Sequence, residues 1–319
     1  MDFDIKQIQQ ARERIQKYIV KTPLLRAQNL DERLGCQVYL KPECMQVTNA
    51  FKIRGALNSV LSLSEEELRR GIVTASSGNH GRAIAYTAKM LGTKAVVVMP
   101  NTAPAAKIDA IRQLGAEVIL SDPSERFRIS EETAQQRGMT LVPPFNHYHV
   151  MAGQGTLGLE IMEQCPELDT LMVPVSGGGL ISGVVTAVKS LHPETKVYGV
   201  EPAELPRYSE SLKAGKPVTV PQKKTVADAL VAQTPGSLCF PVVQKYVDAV
   251  AAVDDEYVLK AQKLLLMEGK LVAEAASCIG IGAILQGRLT VAPEEKVCFL
   301  ITGGKISFDQ LERLKDVEI

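Results

Sequence analysis

Three consecutive glycines, Gly177-Gly178-Gly179 in "VPVSGGGLISG", stand where an apolar run ends and a helical pattern begins. Bare backbone N–H groups approach an anion closely, and the new helix adds its partial positive end. Ser176, the three glycines and Leu180 therefore read as a phosphate cradle. A tight strand-to-helix turn needing positive φ would use the same residues. The stretch is no dinucleotide fingerprint, because the Gly-x-Gly-x-x-Gly spacing fails, and it lacks a Walker lysine. A second junction, "TASSGNHGRA", offers Ser76, Ser77, Gly78, Asn79, His80 and Gly81 at another helix start. Consecutive N–H groups with hydroxyls and an amide suit a carboxylate, although a capped first turn explains the same pattern. Thr302-Gly303-Gly304-Lys305 ends the last apolar run. There the Thr302 hydroxyl can face a ring nitrogen, or the glycines can simply make an αL turn. Lys52, in "NAFKIRGALN", brings an amine. An unpaired ammonium costs several kcal/mol to bury, so such a lysine is a solvated charge unless its surroundings use the amine.

These residues need elements to hold them. From about residue 71 short apolar, β-branched runs alternate with longer helical patterns, the signature of a parallel sheet covered by helices. "GIVTAS" (71–76), "KAVVVMP" (94–100) and "AEVILS" (116–121) read as strands, with helices "GRAIAYTAKMLG" (81–92) and "PAAKIDAIRQLG" (104–115) between them. A second series holds "TLMVPV" (170–175), the helix "LISGVVTAVKSL" (180–191), "KVYGVEP" (196–202) and, far downstream, "KVCFLITGG" (296–304). Right-handed crossovers make both series parallel sheets, with ligands at the carboxyl ends of the strands. The glycine-rich "VMAGQGTLGLEI" (150–161) reads as the return crossing between lobes, and residues 203–245 as the least regular stretch.

Composition excludes several classes. The 319 residues are 45% hydrophobic, enough for a large core in one domain or two lobes. Lys plus Arg and Asp plus Glu each number 36, which leaves no charge footprint for nucleic acid or an anionic membrane. Small, locally recognised ligands fit better. The opening "MDFDIKQIQQARERIQKYIV" is charged and helical in period, unlike a secretory signal, and no later apolar run is long enough to span a bilayer. A cytoplasmic protein is expected. Cys36, Cys44, Cys165, Cys239, Cys278 and Cys298 form no Cys-x-x-Cys pair and read as buried free thiols.

A phosphate cradle, a carboxylate nest, a strand-end hydroxyl and a lysine in an apolar setting are together the parts that hold pyridoxal 5'-phosphate as a Schiff base. In the same order, "NAFKIRGA", "SSGNHG", "AGQGTLGLEIM", "VPVSGGGLISG" and "TGGK" resemble the motifs of fold-type-II pyridoxal-phosphate enzymes, specifically threonine/serine dehydratases and serine racemases. The resemblance runs from Thr22 to Gly304. It implies an α/β, two-lobe fold, each lobe a twisted, mostly parallel sheet flanked by helices. Residues 1–64 and 148–319 would form a large cofactor-binding domain and 65–147 a small substrate-closing domain. It further implies that Lys52 is the Schiff-base lysine and that Ser77 matches the residue facing the cofactor from the opposite side in the racemases. Phe51 packs on the cofactor ring, Asn79 bonds its 3-hydroxyl, and Thr302 meets its pyridine nitrogen. Ser176, Gly177, Gly178, Gly179 and Leu180 hold the phosphate. Ser76, Ser77, Gly78, His80 and Gly81 make the substrate-carboxylate loop.

The implied chemistry follows. A lysine amine kept neutral by desolvation removes the Cα proton. A neutral threonine hydroxyl, unlike an aspartate, does not hold the pyridine nitrogen protonated, which favours prompt loss of the β-hydroxyl. The implied activity is an ammonia-lyase (dehydratase) converting a β-hydroxy amino acid of the L-threonine or L-serine type to a 2-oxo acid and ammonia. Other readings stay open: a serine or amino-acid racemase using Ser77, a dehydratase specific for a bulkier or acidic substrate such as phenylserine or 3-hydroxyaspartate, or a ligand-binding pseudoenzyme. The intact Lys52 argues against the last, and β-replacement fits the loop wording less well. Relatives form homodimers or homotetramers, and an apolar face on the N-terminal helix would serve that contact. With little chain after "TGGK", feedback by isoleucine is not expected.

Several positions depart from the family pattern. Lys305 stands where Asn is usual, placing a cation near the pyridine edge or the entrance, or else turned to solvent. Glu201 is present, but Arg207 replaces the aspartate with which many relatives bind a divalent ion, so no metal site is expected. Ala227-Asp228-Ala229 replaces Ala-Asp-Gly, with Ala229 beside the substrate amine. In "AEAASC" (273–278) Glu274 polarises cofactor or substrate, or caps a helix. His147 and His149 in "PPFNHYHV" lack a third metal ligand and suit a solvated loop. Facing the pocket instead, with Arg207 or Lys305, they would favour an aromatic or acidic β-substituent.

Overall fold

The computed structural model describes residues 3–76 and 78–319, so Ser77, the expected acid/base opposite the lysine, lies outside the described residues. The strands are β1 (Leu25–Arg26), β2 (Gln37–Pro42), β3 (Ile72–Ala75), β4 (Ala95–Pro100), β5 (Glu117–Ser121), β6 (Thr140–Leu141), β7 (Thr170–Pro174), β8 (Lys196–Pro202), β9 (Ala249–Val253) and β10 (Lys296–Ile301). They form two sheets. One has the order β5-β4-β3-β6 and is parallel throughout. The other has the order β1-β2-β10-β7-β8-β9 and is parallel except for the β1–β2 pair. The fold is thus α/β with mostly parallel sheets flanked by helices. The chain leaves the six-stranded sheet after β2, builds the four-stranded one, and returns at β7.

The six strands read from apolar runs are all present. β9, an Ala-Val stretch, escaped the reading because alanine carries little strand preference. β8 and β10 place Glu201 and Thr302 at carboxyl ends of the sheet, and β3 and β7 do the same for Ser76 and Ser176.

Segment 150–161 is the middle of one helix, Tyr148–Gln164, buried from Val150 to Met162, and it lies on the chain's return from β6 to β7. Its small residues let backbones touch. A Cβ on Gly153 would stand 2.5 Å from the Arg54 carbonyl oxygen, and one on Gly183 would stand 2.1 Å from that of Met151. Only glycine permits those approaches. The helices Lys52–Val60 and Gly179–Leu191 are therefore registered against the same axis, and each carries a candidate site residue at its first turn.

The N-terminal helix, Ile5–Ile15, corrects an expectation. Ile8 and Ala11 are fully buried against Ala152, Leu159 and Ala187, and Ile15 joins the core around Ile53 and Leu57. Its apolar face is spent inside the chain, not on an oligomer contact. All six cysteines are buried and free. Among the described residues no helix is long and apolar enough to cross a membrane.

Candidate active site

Lys52 opens the helix Lys52–Val60. The loop before it is zipped onto the end of β10: the Phe51 N–H donates to the Thr302 carbonyl (3.0 Å), the Gly304 N–H donates to that of Asn49 (2.9 Å), and Ala50 bridges Gly303. The Lys52 amine donates to the Pro144 carbonyl at 2.8 Å and lies 5.1 Å from the centroid of the Phe51 ring. Desolvation lowers its pKa to about 8, against the opposing pull of Cys239 and Glu274. Among the described residues no carboxylate forms an ion pair with it. At neutral pH this lysine keeps a far larger neutral fraction than an exposed one.

The same loop reaches the glycine turn. Phe145, next to Pro144, packs so closely that a Cβ on Gly177 would stand 2.4 Å from its ring and one on Gly179 3.0 Å from its Cβ. Gly178 has φ 102°, and a Cβ there would stand 1.9 Å from Tyr208 Oη. The Tyr208 hydroxyl donates to the Gly177 carbonyl at 3.2 Å. No side chain caps the helix that starts at Gly179, so its first N–H groups remain available to an anion. Ser176 Oγ accepts the Ala232 N–H at 3.2 Å, and Leu180 is buried.

Asn79 opens the helix Asn79–Leu91, and its amide donates to both Glu274 oxygens, at 2.9 and 3.2 Å. Glu274 precedes the helix Ala275–Leu285 without capping it through its side chain. A Cβ on Gly303 would lie 2.7 Å from Glu274 Oε1 and 3.1 Å from Asn79 Nδ2, so both side chains lie against the end of β10. Burial raises the Glu274 pKa to about 7, and the Asn79 hydrogen bond offsets only part of that. Thr302, buried, has its Oγ1 3.0 Å from Ser277 Oγ. Ser277 also accepts the Gly303 N–H (2.8 Å) and donates to the Gly303 carbonyl (2.9 Å). Ser277 and Phe145 lie in quoted segments but carry no mark of their own in the sequence, since nothing in a lone serine or phenylalanine assigns it to such a place.

In the loop after β3, the Ser76 N–H donates to the Val98 carbonyl (3.0 Å) and the Gly78 N–H to Ser76 Oγ (3.3 Å). A Cβ on Gly81 would stand 2.7 Å from the Ser76 carbonyl oxygen. Gly78 precedes the Asn79–Leu91 helix with no side-chain cap, which leaves a second helix start open to an anion. His80 is buried, with Nε2 3.2 Å from the Val142 carbonyl and Nδ1 unpartnered among the described residues. Burial, and then the charge of Lys52, push its pKa down to about 3, so it is neutral.

The departures fall in different places. His147, His149 and Ala229 are exposed. The first two bond locally: the His149 N–H donates to His147 Nδ1 at 3.3 Å, and His149 Nδ1 lies 3.4 Å from Ser62 Oγ. Arg207 is fully buried and donates to the Val175 (3.0 Å) and Leu230 (2.8 Å) carbonyls, bracing the strand that leads into the glycine turn. Glu201 accepts the Tyr208 and Ser209 N–H groups at 2.9 and 2.8 Å. Among the described residues no group of three or more His, Cys, Asp or Glu could hold a metal ion. Lys305 is half-buried beside the Glu274 contact.

Behind the lysine lies a closed ionic group. Arg54 is fully buried and pairs with Glu43 (2.8 Å) and Glu160 (2.7 Å), and Lys41 pairs with Glu160 (2.8 Å). Thr22 Oγ1 donates to Glu43 at 2.8 Å. This network ties the helix of Lys52 to β2 and to the helix Tyr148–Gln164.

A desolvated lysine, a helix start stripped of side chains for a phosphate, and an amide and a hydroxyl at the neighbouring strand end fit pyridoxal 5'-phosphate. Together with the two parallel sheets they define an α/β pyridoxal-phosphate enzyme of fold type II. The chain belongs to the pyridoxal-phosphate dependent enzyme family, whose model matches residues 15–303. It is 42% identical to the L-threonine ammonia-lyase of Thermotoga maritima, over 97% of this chain and 77% of that protein. It is 39% identical to the serine racemase of Oryza sativa, over 97% of this chain and 92% of that one. The structure of maize serine racemase matches with a TM-score of 0.93 at 37% identity, covering 98% of this chain and 97% of that chain.

Proposed function

We propose that the chain is an ammonia-lyase that converts a β-hydroxy amino acid of the L-threonine or L-serine type to a 2-oxo acid and ammonia. The observation that carries this is the Lys52 amine, desolvated to a pKa of about 8 and bonded among the described residues to a carbonyl alone, where the glycine turn and the end of β10 meet. Pyridoxal phosphate supplies the electron sink that lets a Cα–H bond break. Ser176, Gly177, Gly178, Gly179 and Leu180 would hold its phosphate, and Phe51, Asn79 and Thr302 would serve its ring, its ring hydroxyl and its nitrogen.

The protein's own groups do the rest. Lys52, mostly stripped of water, takes the Cα proton, because desolvation disfavours its charged form more than Cys239 and Glu274 favour it. Ser76, Gly78, neutral His80 and Gly81, with Ser77, orient the substrate carboxylate at the start of the Asn79–Leu91 helix. Ser277 positions the Thr302 hydroxyl: its own proton goes to the Gly303 carbonyl, so it accepts from Thr302 Oγ1. Glu274 fixes Asn79 and, near its midpoint at neutral pH, can hold or release a proton beside it. Residues 65–147 act as the small closing domain on 1–64 and 148–319, and the enzyme works in the cytoplasm as a homodimer or homotetramer, which size-exclusion chromatography tests.

The test is release of 2-oxo acid and ammonia by purified protein with pyridoxal phosphate, against L- and D-serine and threonine, beside Lys52→Ala. Oxo acid that disappears in the variant supports the lyase. Inversion of serine without oxo acid would replace it with the racemase, which the likeness to serine racemases favours as the second reading.

A further inference from the structure

We propose that Arg82 and Lys305 form an anion-binding pair at the rim of this cleft that receives an acidic β-substituent, so that the preferred substrate is a 3-hydroxy amino dicarboxylate. The inference rests on the lyase reading and deepens it.

The placement comes from two elements that meet at Asn79. Arg82 lies three residues after Asn79 on the helix Asn79–Leu91 and hence on the same face. Lys305 follows Gly303, the residue against which Asn79 and Glu274 pack, by two positions. The Asn79–Glu274 contact thus has a guanidinium on the helix side and an ammonium on the strand side. Both residues are half-buried, and neither side chain has a hydrogen bond or ion pair among the described residues. Their neighbours are already engaged: Lys107, from the helix Ala105–Arg112, lies 3.7 Å from Asp228, and both Glu274 oxygens take the Asn79 amide.

The charged groups acting on Lys305 are Lys107, Arg82, Glu274 and Asp228, so three cations, Lys305 included, share two acids. Desolvation, then Lys107 and Arg82, lower the Lys305 pKa to about 8 while the two acids pull the other way. A carboxylate seated between Arg82 and Lys305 relieves both, through a planar fork on one side and a point charge on the other. A methyl group there leaves two cations desolvated and unpaired. A rim built for a charged group disfavours the analogue that lacks it, so within the β-hydroxy amino acids serine and threonine rank below the dicarboxylate.

The experiment uses holoenzyme. kcat/KM is measured for 3-hydroxyaspartate, L-serine and L-threonine in the wild type, Lys305→Gln, Arg82→Gln and Lys305→Arg. Succinate, a dicarboxylate that cannot react, is titrated calorimetrically and tested for competition with serine. The proposal expects 3-hydroxyaspartate to be preferred over serine and that preference to fall about tenfold to a hundredfold in either Gln variant. It expects recovery in Lys305→Arg, and succinate that competes with serine and binds the Gln variants more weakly. Oxo acid formed with an unchanged preference, or succinate that does not compete, would overturn the pair as the substrate's site and leave the lyase standing. Oxo acid from none of the substrates would defeat the lyase reading, and the succinate titration, which needs no turnover, then decides the pair by itself.

Discussion

The group of Lys41, Glu43, Arg54 and Glu160 and the group of Lys52, Glu274 and Lys305 lie on either side of the same short helix. In the first, despite desolvation, Glu43 and Glu160 raise the pKa of Arg54, and Arg54 lowers that of Glu43. Desolvation draws Lys41 down, but three acceptors, Thr22, Glu160 and Gln164, still hold its amine. In the second, Lys52 and Lys305 fall to about 8 and Glu274 rises to about 7, with no ion pair among the described residues to hold them. Burial is common to both, so pairing is what differs. Paired ions stay charged and fix geometry, whereas buried groups without a matching ion are brought to where they can exchange protons near neutral pH.

The widest separation between the two groups comes from Lys52→Ala. Turnover should fall by about a thousandfold or more, because both the cofactor link and the base are lost. The melting temperature of the cofactor-free protein should not fall, since a desolvated amine has been removed. Arg54→Met should do the reverse. It strands Glu43 and Glu160 in the core, and urea unfolding should show a loss of about 3–5 kcal/mol. Turnover per cofactor-loaded site should stay within severalfold of the wild type. If Arg54→Met instead unfolds normally but loses turnover a hundredfold, the distinction between a fixing group and a reacting group is wrong.

The sequence carried the second group far better than the first. Gly177–Gly179, Asn79 and Thr302 announce themselves because each sits at a junction between an apolar run and a helical one, a local signal. Lys52 and Arg54 are two residues apart in one quoted motif, yet only Lys52 could be singled out. The partners of Arg54 are 11 and 106 residues away in the chain, and nothing local pairs them. The same blindness put the apolar face of Ile8, Ala11 and Ile15 on an oligomer contact, since a stripe reads alike whether another subunit or the chain's own helix covers it. The segment 150–161 was legible as the return from β6 to β7, but not as a buried helix, because glycines that allow close helix packing look like glycines that allow a bend. Glu274 was noticed but left between cap and polarising group, and only the Asn79 contact separates the two.

Glu274→Gln gives the smallest and most informative effect, because its sign depends on pH. Glu274 is raised from 4.5 to about 7 by burial, so its stability contribution is intact below pH 4.5 and is lost as pH rises through 7. Forcing the carboxylate into the folded protein then costs about 3 kcal/mol above that range. Gln keeps an oxygen for the Asn79 amide and carries no charge. The cofactor-free variant and wild type should therefore unfold at similar urea concentrations at pH 5, with the variant pulling ahead between pH 6 and 8. A variant less stable than the wild type at pH 8 would mean that Glu274 is held charged by its neighbours, as Glu43 is, and would move it from the reacting group to the fixing one.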